Sequence, residues 1–262
     1  MDVGRDIDEA YRDGVLVVPD KWAGLPQTAF GGFLCAAALR IASRESGQPQ
    51  AISLLGRYFR ATPVGKGVRI DHEREHEGRR LESYNVRLWD DDRLLATFSI
   101  QFGEGRHEPY TSQGLDAPPP VGATRPVHEL LTNAGQEPPA HMVYTGFEEA
   151  VECDLLPPGT LANRWPAKSG EIALAAVMCV DNFVGPATWR TYGESEGTMS
   201  AVLLSVDIAV WFHDLDVPGG WLDSRTRIVA ANRGIATGQS QVWRGERLVA
   251  TGASTVTAVP VA

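Results

Sequence analysis

The sequence predicts an α+β protein of two tandem units, each an antiparallel sheet wrapped around one long helix. Three observations point there. Two Ala-rich apolar segments, one in each half of the 262 residues, read as buried helices. Each is followed by four strand-like segments joined by short turns, and part of the first half recurs in the second at a fixed spacing.

The helix in the second half, residues 171–184, is the more informative. From Ile172 to Val180 it runs through nine apolar residues in succession. That is too short to span a bilayer. With no Gly or Pro inside, it reads as a helix apolar on every side, which has to be surrounded. Asp181 closes the run. A carboxylate there faces the negative end of the helix dipole in a dry setting, and both raise its free energy when ionised. The alternative is a turn, with Asp181 and Asn182 opening toward Gly185-Pro186 and their side chains in water.

The first half begins with a short strand at residues 14–18 and a loop at 22–26. A helix over roughly residues 32–46 follows, with Gly31 and Gly32 just before or within its first turn. It turns polar from Arg40 and ends near Gly47. Strands are expected at 51–62, 67–75, 80–89 and 94–102. One helix followed by hairpin-connected strands implies an antiparallel sheet covering it. The second half repeats the order, with a strand at 148–155, the helix, then strands at 201–212, 221–230, 233–243 and 248–259.

The repeat is visible residue by residue. VRLWDDDRLLAT, residues 86–97, aligns without gaps on SQVWRGERLVAT, residues 240–251. Trp89/Trp243, Arg93/Arg247, Leu94/Leu248, Ala96/Ala250 and Thr97/Thr251 match, all 154 positions apart. Shared element order and matched residues argue for duplication. Between the halves, residues 103–144 hold seven of the 17 prolines, which reads as a linker rather than a long functional loop of a single domain. The expected divisions are an N-terminal unit at 1–103, a linker at 104–144 and a C-terminal unit at 145–262.

This organisation resembles the tandem, or double, hotdog fold, and in particular the acyl-CoA thioesterase II group. The resemblance rests on Phe30-Gly31-Gly32, on Tyr58-Phe59-Arg60-Ala61-Thr62-Pro63 and on Gly78-Arg79-Arg80. In the second half it rests on Asp181, the run from Ser205 to His213, Trp221-Leu222 and Arg247-Leu248-Val249-Ala250. It implies hydrolysis of an acyl-CoA thioester without a cofactor or metal, in the cytoplasm, by a homodimer or higher homo-oligomer. The family's site uses an Asp on the second helix, a Thr on the next strand and a Gln on the last. Asp181 matches the first, Ser205 keeps the hydroxyl of the second, and Ser254 stands at the third as a shorter group.

Read as chemistry, a thioester needs its carbonyl polarised and a water delivered. Backbone N–H groups at Gly31-Gly32 would hold the developing oxyanion, helped by the helix dipole, and glycine lets a ligand approach closely. Asp181 would act as general base, with Ser205 orienting the water and Ser254 or Asn182 assisting. Close helix packing is the competing explanation for the two glycines. Aligning Gly32 with Gly170 puts Asp181 opposite Ser43, so the first half has no equivalent acid. This predicts one site per chain, at the junction.

Arg57, Arg60, Arg79 and Arg80 form a basic group in an acidic chain. Arg79 is the candidate for coenzyme A phosphates, with surface solvation as the competing explanation. A net charge of −9 argues against broad binding to nucleic acid or anionic membrane. The charged N-terminus carries no apolar signal segment. Cys35, Cys153 and Cys179 make no zinc pattern and read as reduced thiols. His72, Glu73, Glu75 and His76 read as a solvated hairpin end rather than a metal site. A hydratase would need a His five residues after the helix Asp, and Pro186 stands there. The rival function is a noncatalytic acyl-CoA or lipid-binding module, since the Gln position has changed.

Overall fold

A computed structural model describes residues 2–24, 28–104, 160–182, 184–188 and 201–260. The expected linker and the expected strand at 148–155 lie outside the described residues, as does Cys153. Helix α1 (Val3–Ala10) leads into β1 (Tyr11–Arg12), β2 (Val15–Val17), β3 (Ala23–Gly24) and β4 (Thr28–Ala29). Helix α2 (Gly31–Ser43) precedes β5 (Gln50–Tyr58), β6 (Gly67–Glu77), β7 (Leu81–Asp90) and β8 (Arg93–Gly103). The second half holds β9 (Thr160–Ala167), α3 (Ile172–Asn182), α4 (Val184–Thr188), β10 (Ala201–Phe212), β11 (Gly220–Asn232), β12 (Ile235–Arg244) and β13 (Arg247–Pro260).

The sequence predicts a separate sheet for each half, whereas among the described residues the long strands of both halves join in one sheet, with β3 and β4 forming a small two-stranded ladder apart from it. Eleven strands hydrogen-bond in the order β1-β2-β6-β7-β8-β5-β10-β13-β12-β11-β9. The join is the antiparallel β5–β10 pair, in which Leu55 faces Ala209, Ser53 faces Trp211 and Arg57 faces Asp207. Leu55 and Ala209 are repeat partners, so a pseudo-twofold axis passes between them. The strand that follows each half's long helix would otherwise present an open edge, and pairing the two satisfies both.

Repetition extends to irregularities. The β-bulges of the first half fall at Ala51/Ser53, Arg74/His76 and Leu88/Trp89. Those of the second fall at Ser205/Asp207, Ile228/Ala230 and Val242/Trp243, each 154 residues on. The β7–β8 and β12–β13 turns put Asp91 and Gly245, also 154 apart, at positive φ of 53° and 61°. Bulges are built features that bend a strand, so equal placement gives equal curvature.

Helices α2 and α3 pack against each other antiparallel, with the start of α2 at Asp181 and Arg40 of its last turn near Glu171. Apart from Arg40, Ser43 and the partly exposed Gly31, α2 is buried throughout, and Phe33, Cys35, Ala36 and Ala37 are fully enclosed. From Leu174 to Asn182, α3 is buried as well. Glycine lets α3 press close to the sheet, since a Cβ on Gly252 would lie 2.6 Å from Val180. Trp22 stacks on Phe33 at 5.0 Å and on Trp165 at 6.5 Å, tying the halves together.

Three local expectations need correction. Helix α2 stops at Ser43 rather than Ser46, because Glu45 and Ser46 turn back to Ala42 in a tight final turn. Helix α1 was not anticipated: its sequence is charged, but Val3 and Ile7 fall on one face and are buried. Nor was β9 at Thr160–Ala167 anticipated, since this edge strand buries adjacent residues rather than alternating them. No described helix is long and apolar enough to cross a membrane.

Candidate active site

The start of α2 and the end of α3 meet. Phe30 stands before the first turn of α2 with no side-chain cap, so N–H groups of that turn lack intrahelical partners. The approach is fixed from behind, as Phe30 N–H donates to the Trp22 carbonyl at 2.9 Å and Ala29 N–H to that of Thr62 at 2.8 Å. Asp181, 3% exposed, projects from the last turn of α3 against this end. A Cβ on Gly31 would fall 2.9 Å from Asp181 Oδ2, and one on Gly32 3.4 Å from its Cβ. Glycine at position 31 is what admits the carboxylate, whereas at Gly32 a Cβ would meet the Phe30 ring at 2.7 Å.

Ser205 Oγ donates to Asp181 Oδ1 at 3.0 Å. Strict alternation would send Ser205 and Ile208 to opposite faces. The Ser205/Asp207 bulge removes that parity. Ser205 now pairs with Val256, and Ile208 with Ser254. Both partners are buried, and directly paired residues share a face. The hydroxyl therefore reaches the interior from an odd-numbered position.

Asp181 Oδ2 is buried with no hydrogen-bond partner. Burial pushes the Asp181 pKa up to about 6, against lesser opposing pulls from Ser205, the Gly32 N–H and Ser254. The Gly32 and Ser254 groups face the carboxylate without making a full hydrogen bond to it. The Ser254 hydroxyl instead donates to the Asp207 carbonyl at 3.1 Å. Unpartnered Oδ2 is thus where a water would find an acceptor, beside N–H groups at the positive end of a helix.

Of the expected site residues, Gly31, Gly32, Asp181 and Ser205 come together, with Ser254 beneath them. Arg79 does not join them. It lies on the β6–β7 turn, where its carbonyl accepts from Gln48, just past the other end of α2. A 13-residue helix separates the two places, about 20 Å at 1.5 Å per residue. His72 Nε2 meets Glu45 at 2.7 Å and Glu73 meets Arg87 at 3.4 Å, so these groups pair separately. A groove of about 470 Å³ between α1 and β2, lined by Asp6, Glu9 and Lys21 among others, shares no residue with the Asp181 site.

One neighbour was not anticipated as a site residue. Tyr58 Oη donates to the Gly31 carbonyl at 2.8 Å and touches Cys35 Sγ at 2.9 Å. The repeat carries the signal that would have found it, because Phe212, the partner 154 residues on, lacks the hydroxyl.

The pseudo-equivalent end of the helix pair is built differently. At the repeat positions Ser205 becomes Ala51 and Ser254 becomes Ile100. Helix α1 covers that end, with Asp8 bound to Arg40 at 2.8 Å and also to Arg44. Asp2 pairs with Lys168, and Glu171 packs against Gly4.

Residues 18–103 match the profile of the acyl-CoA thioesterase N-terminal domain, and residues 135–258 that of the acyl-CoA thioesterase C-terminal domain. Among solved structures, a putative thioesterase from Novosphingobium aromaticivorans is 23% identical, with a TM-score of 0.73, covering 95% of this chain and 97% of that one. The acyl-CoA thioesterase II TesB2 of Mycobacterium marinum is 17% identical, with a TM-score of 0.74, covering 99% of each chain. A hot dog fold protein of unknown function from Alicyclobacillus acidocaldarius is also 17% identical, with a TM-score of 0.72, covering 97% of this chain and 98% of that one. At these identities the likeness is one of fold. No curated protein matches the chain.

Proposed function

The chain belongs to the acyl-CoA thioesterase family, and from that premise we propose that it hydrolyses an acyl-CoA thioester to free acid and CoA at Asp181. The observation that carries this reading is the Asp181 carboxylate itself. It is buried, with one oxygen held by Ser205 and the other unpartnered beside the open start of α2.

In this reading a water binds at Asp181 Oδ2 and gives its proton to the carboxylate as its oxygen attacks the thioester carbon. The carbonyl oxygen becomes an oxyanion facing the first-turn N–H groups of α2, which are fixed in place before charge develops. The C–S bond then breaks, and the proton on Asp181 passes to the departing thiolate. The products are a carboxylic acid and a thiol, and the carboxylate is restored. A pKa of about 6 suits the base role, since the group is ionised at neutral pH yet binds a proton more readily than an ordinary Asp. One site per chain follows from the other helix end, where Ala51 and Ile100 replace the hydroxyls and α1 fills the approach.

Thiol release from a panel of acyl-CoAs of graded length tests the proposal. Release with at least one member supports it. No release from any member, while acyl-CoA still raises the melting temperature, makes the chain a binding module instead.

A further inference from the structure

We propose that Tyr58 is a positioning residue that aims and polarises the Gly32 N–H through the Gly31 carbonyl. The inference rests on the thioesterase reading above and adds a residue to it. The Gly31 carbonyl and the Gly32 N–H belong to one peptide group, planar and trans, so holding the oxygen fixes the direction of the N–H. Tyr58 Oη holds that oxygen at 2.8 Å. It does so at a Gly-Gly step, where the backbone has the least intrinsic restraint.

The direction of the hydrogen bonds is determined. The Gly31 carbonyl can only accept, so the single phenol proton goes to it. Cys35 Sγ, 2.9 Å from the same phenol oxygen, must then be the donor in that contact. The chain runs from the Cys35 S–H to Tyr58 O–H to Gly31 C=O, and each bond strengthens the next. Its far end is the Gly32 N–H, the group that faces Asp181. Burial raises the pKa of both the thiol and the phenol, which keeps both protons in place. Cys35, Asp181 and Asp207 are the titratable groups in range of Tyr58.

The repeat supplies an independent argument. Tyr58 and Phe212 occupy equivalent positions, pairing with Ala96 and Ala250, which are themselves repeat partners. Packing alone is satisfied by either ring. The hydroxyl occurs in the half whose helix start faces Asp181.

The test is Tyr58→Phe, which keeps the ring. The expected result is a fall in kcat of roughly tenfold, the scale of one lost hydrogen bond, with KM within about twofold of the parent and the melting temperature little changed. The acid limb of kcat/KM should also move to higher pH, because the Asp181 carboxylate loses part of the N–H that favours its charged form. Unchanged kcat overturns the inference, and so does a joint change of kcat, KM and melting temperature, which would mark a packing role. If Tyr58→Phe fails to fold, Cys35→Ala removes the donor behind the phenol. The same split is then expected at smaller size, and its absence overturns the proposal. Asp181→Asn run alongside separates the two readings: undiminished turnover there overturns the site itself, whereas lost turnover there with full activity in Tyr58→Phe overturns the positioning role alone.

Discussion

The Ser205 hydroxyl donates to one carboxylate oxygen of Asp181 at 3.0 Å, from a position that only a β-bulge turns inward. This bond favours the charged form of Asp181, so Ser205→Ala raises an already elevated pKa. A hydrogen bond to a charged group is worth about 1.5–3 kcal/mol. Turnover at pH 7 should therefore fall roughly 10- to 100-fold, with the acid limb of kcat/KM moving up from about 6. Ser205→Thr keeps the hydroxyl on a residue suited to strands and should retain most activity. Rate–pH profiles of both variants check this.

Asp181 weakens the fold at working pH. Its folded pKa of about 6 exceeds the ordinary 3.8. Between those values the native state holds a proton that the unfolded chain has released, so stability falls as pH rises through this window. The loss is complete above 6 and amounts to about 3 kcal/mol. Asp181→Asn removes it. Thermal melts should show the variant more stable than the parent at pH 8, with the advantage gone at pH 3.5. Equal melting temperatures at pH 8 would mean that the carboxylate is not desolvated.

Gly31→Ala sets two effects against each other. Alanine is the better helix former by about 1 kcal/mol. Its Cβ, however, would stand 2.9 Å from Asp181 Oδ2 and 3.1 Å from the Tyr58 ring, and both are hydrogen-bonded in place. Overpacking costs about 1–3 kcal/mol, so the net expectation is a lower melting temperature together with lost turnover. A more stable, fully active Gly31→Ala would show that nothing approaches the helix start.

Much of the architecture could be read from the chain because it is local. The four strands that follow α3 fall within three residues of expectation, since alternation and turn residues are neighbours in sequence. The Trp89/Trp243 match anticipated equal hairpins, and the structure adds a bulge at each tryptophan that the matched residues did not announce. The β5–β10 junction was not legible, because no periodicity within Gln50–Tyr58 or Ala201–Phe212 names the partner strand. The bulge at Ser205 was equally hidden, and without it alternation alone turns that hydroxyl away from Asp181. Residue type drew attention to Arg79, and its distance from Asp181 could not be read without the position of the β6–β7 turn relative to α2. Tyr58 entered only as part of the resemblance, because its hydrogen bond depends on where one oxygen lands relative to Gly31.

The central claim is that Asp181 is the base for thioester hydrolysis, and Asp181→Asn tests it most directly. The substitution preserves shape and removes the acceptor of the proton. Thiol release from the best acyl-CoA, measured at saturating substrate and pH 8, should fall by roughly 10²–10⁴-fold in a protein that still melts cooperatively at or above the parent temperature. Unaltered release from that folded variant would contradict the account.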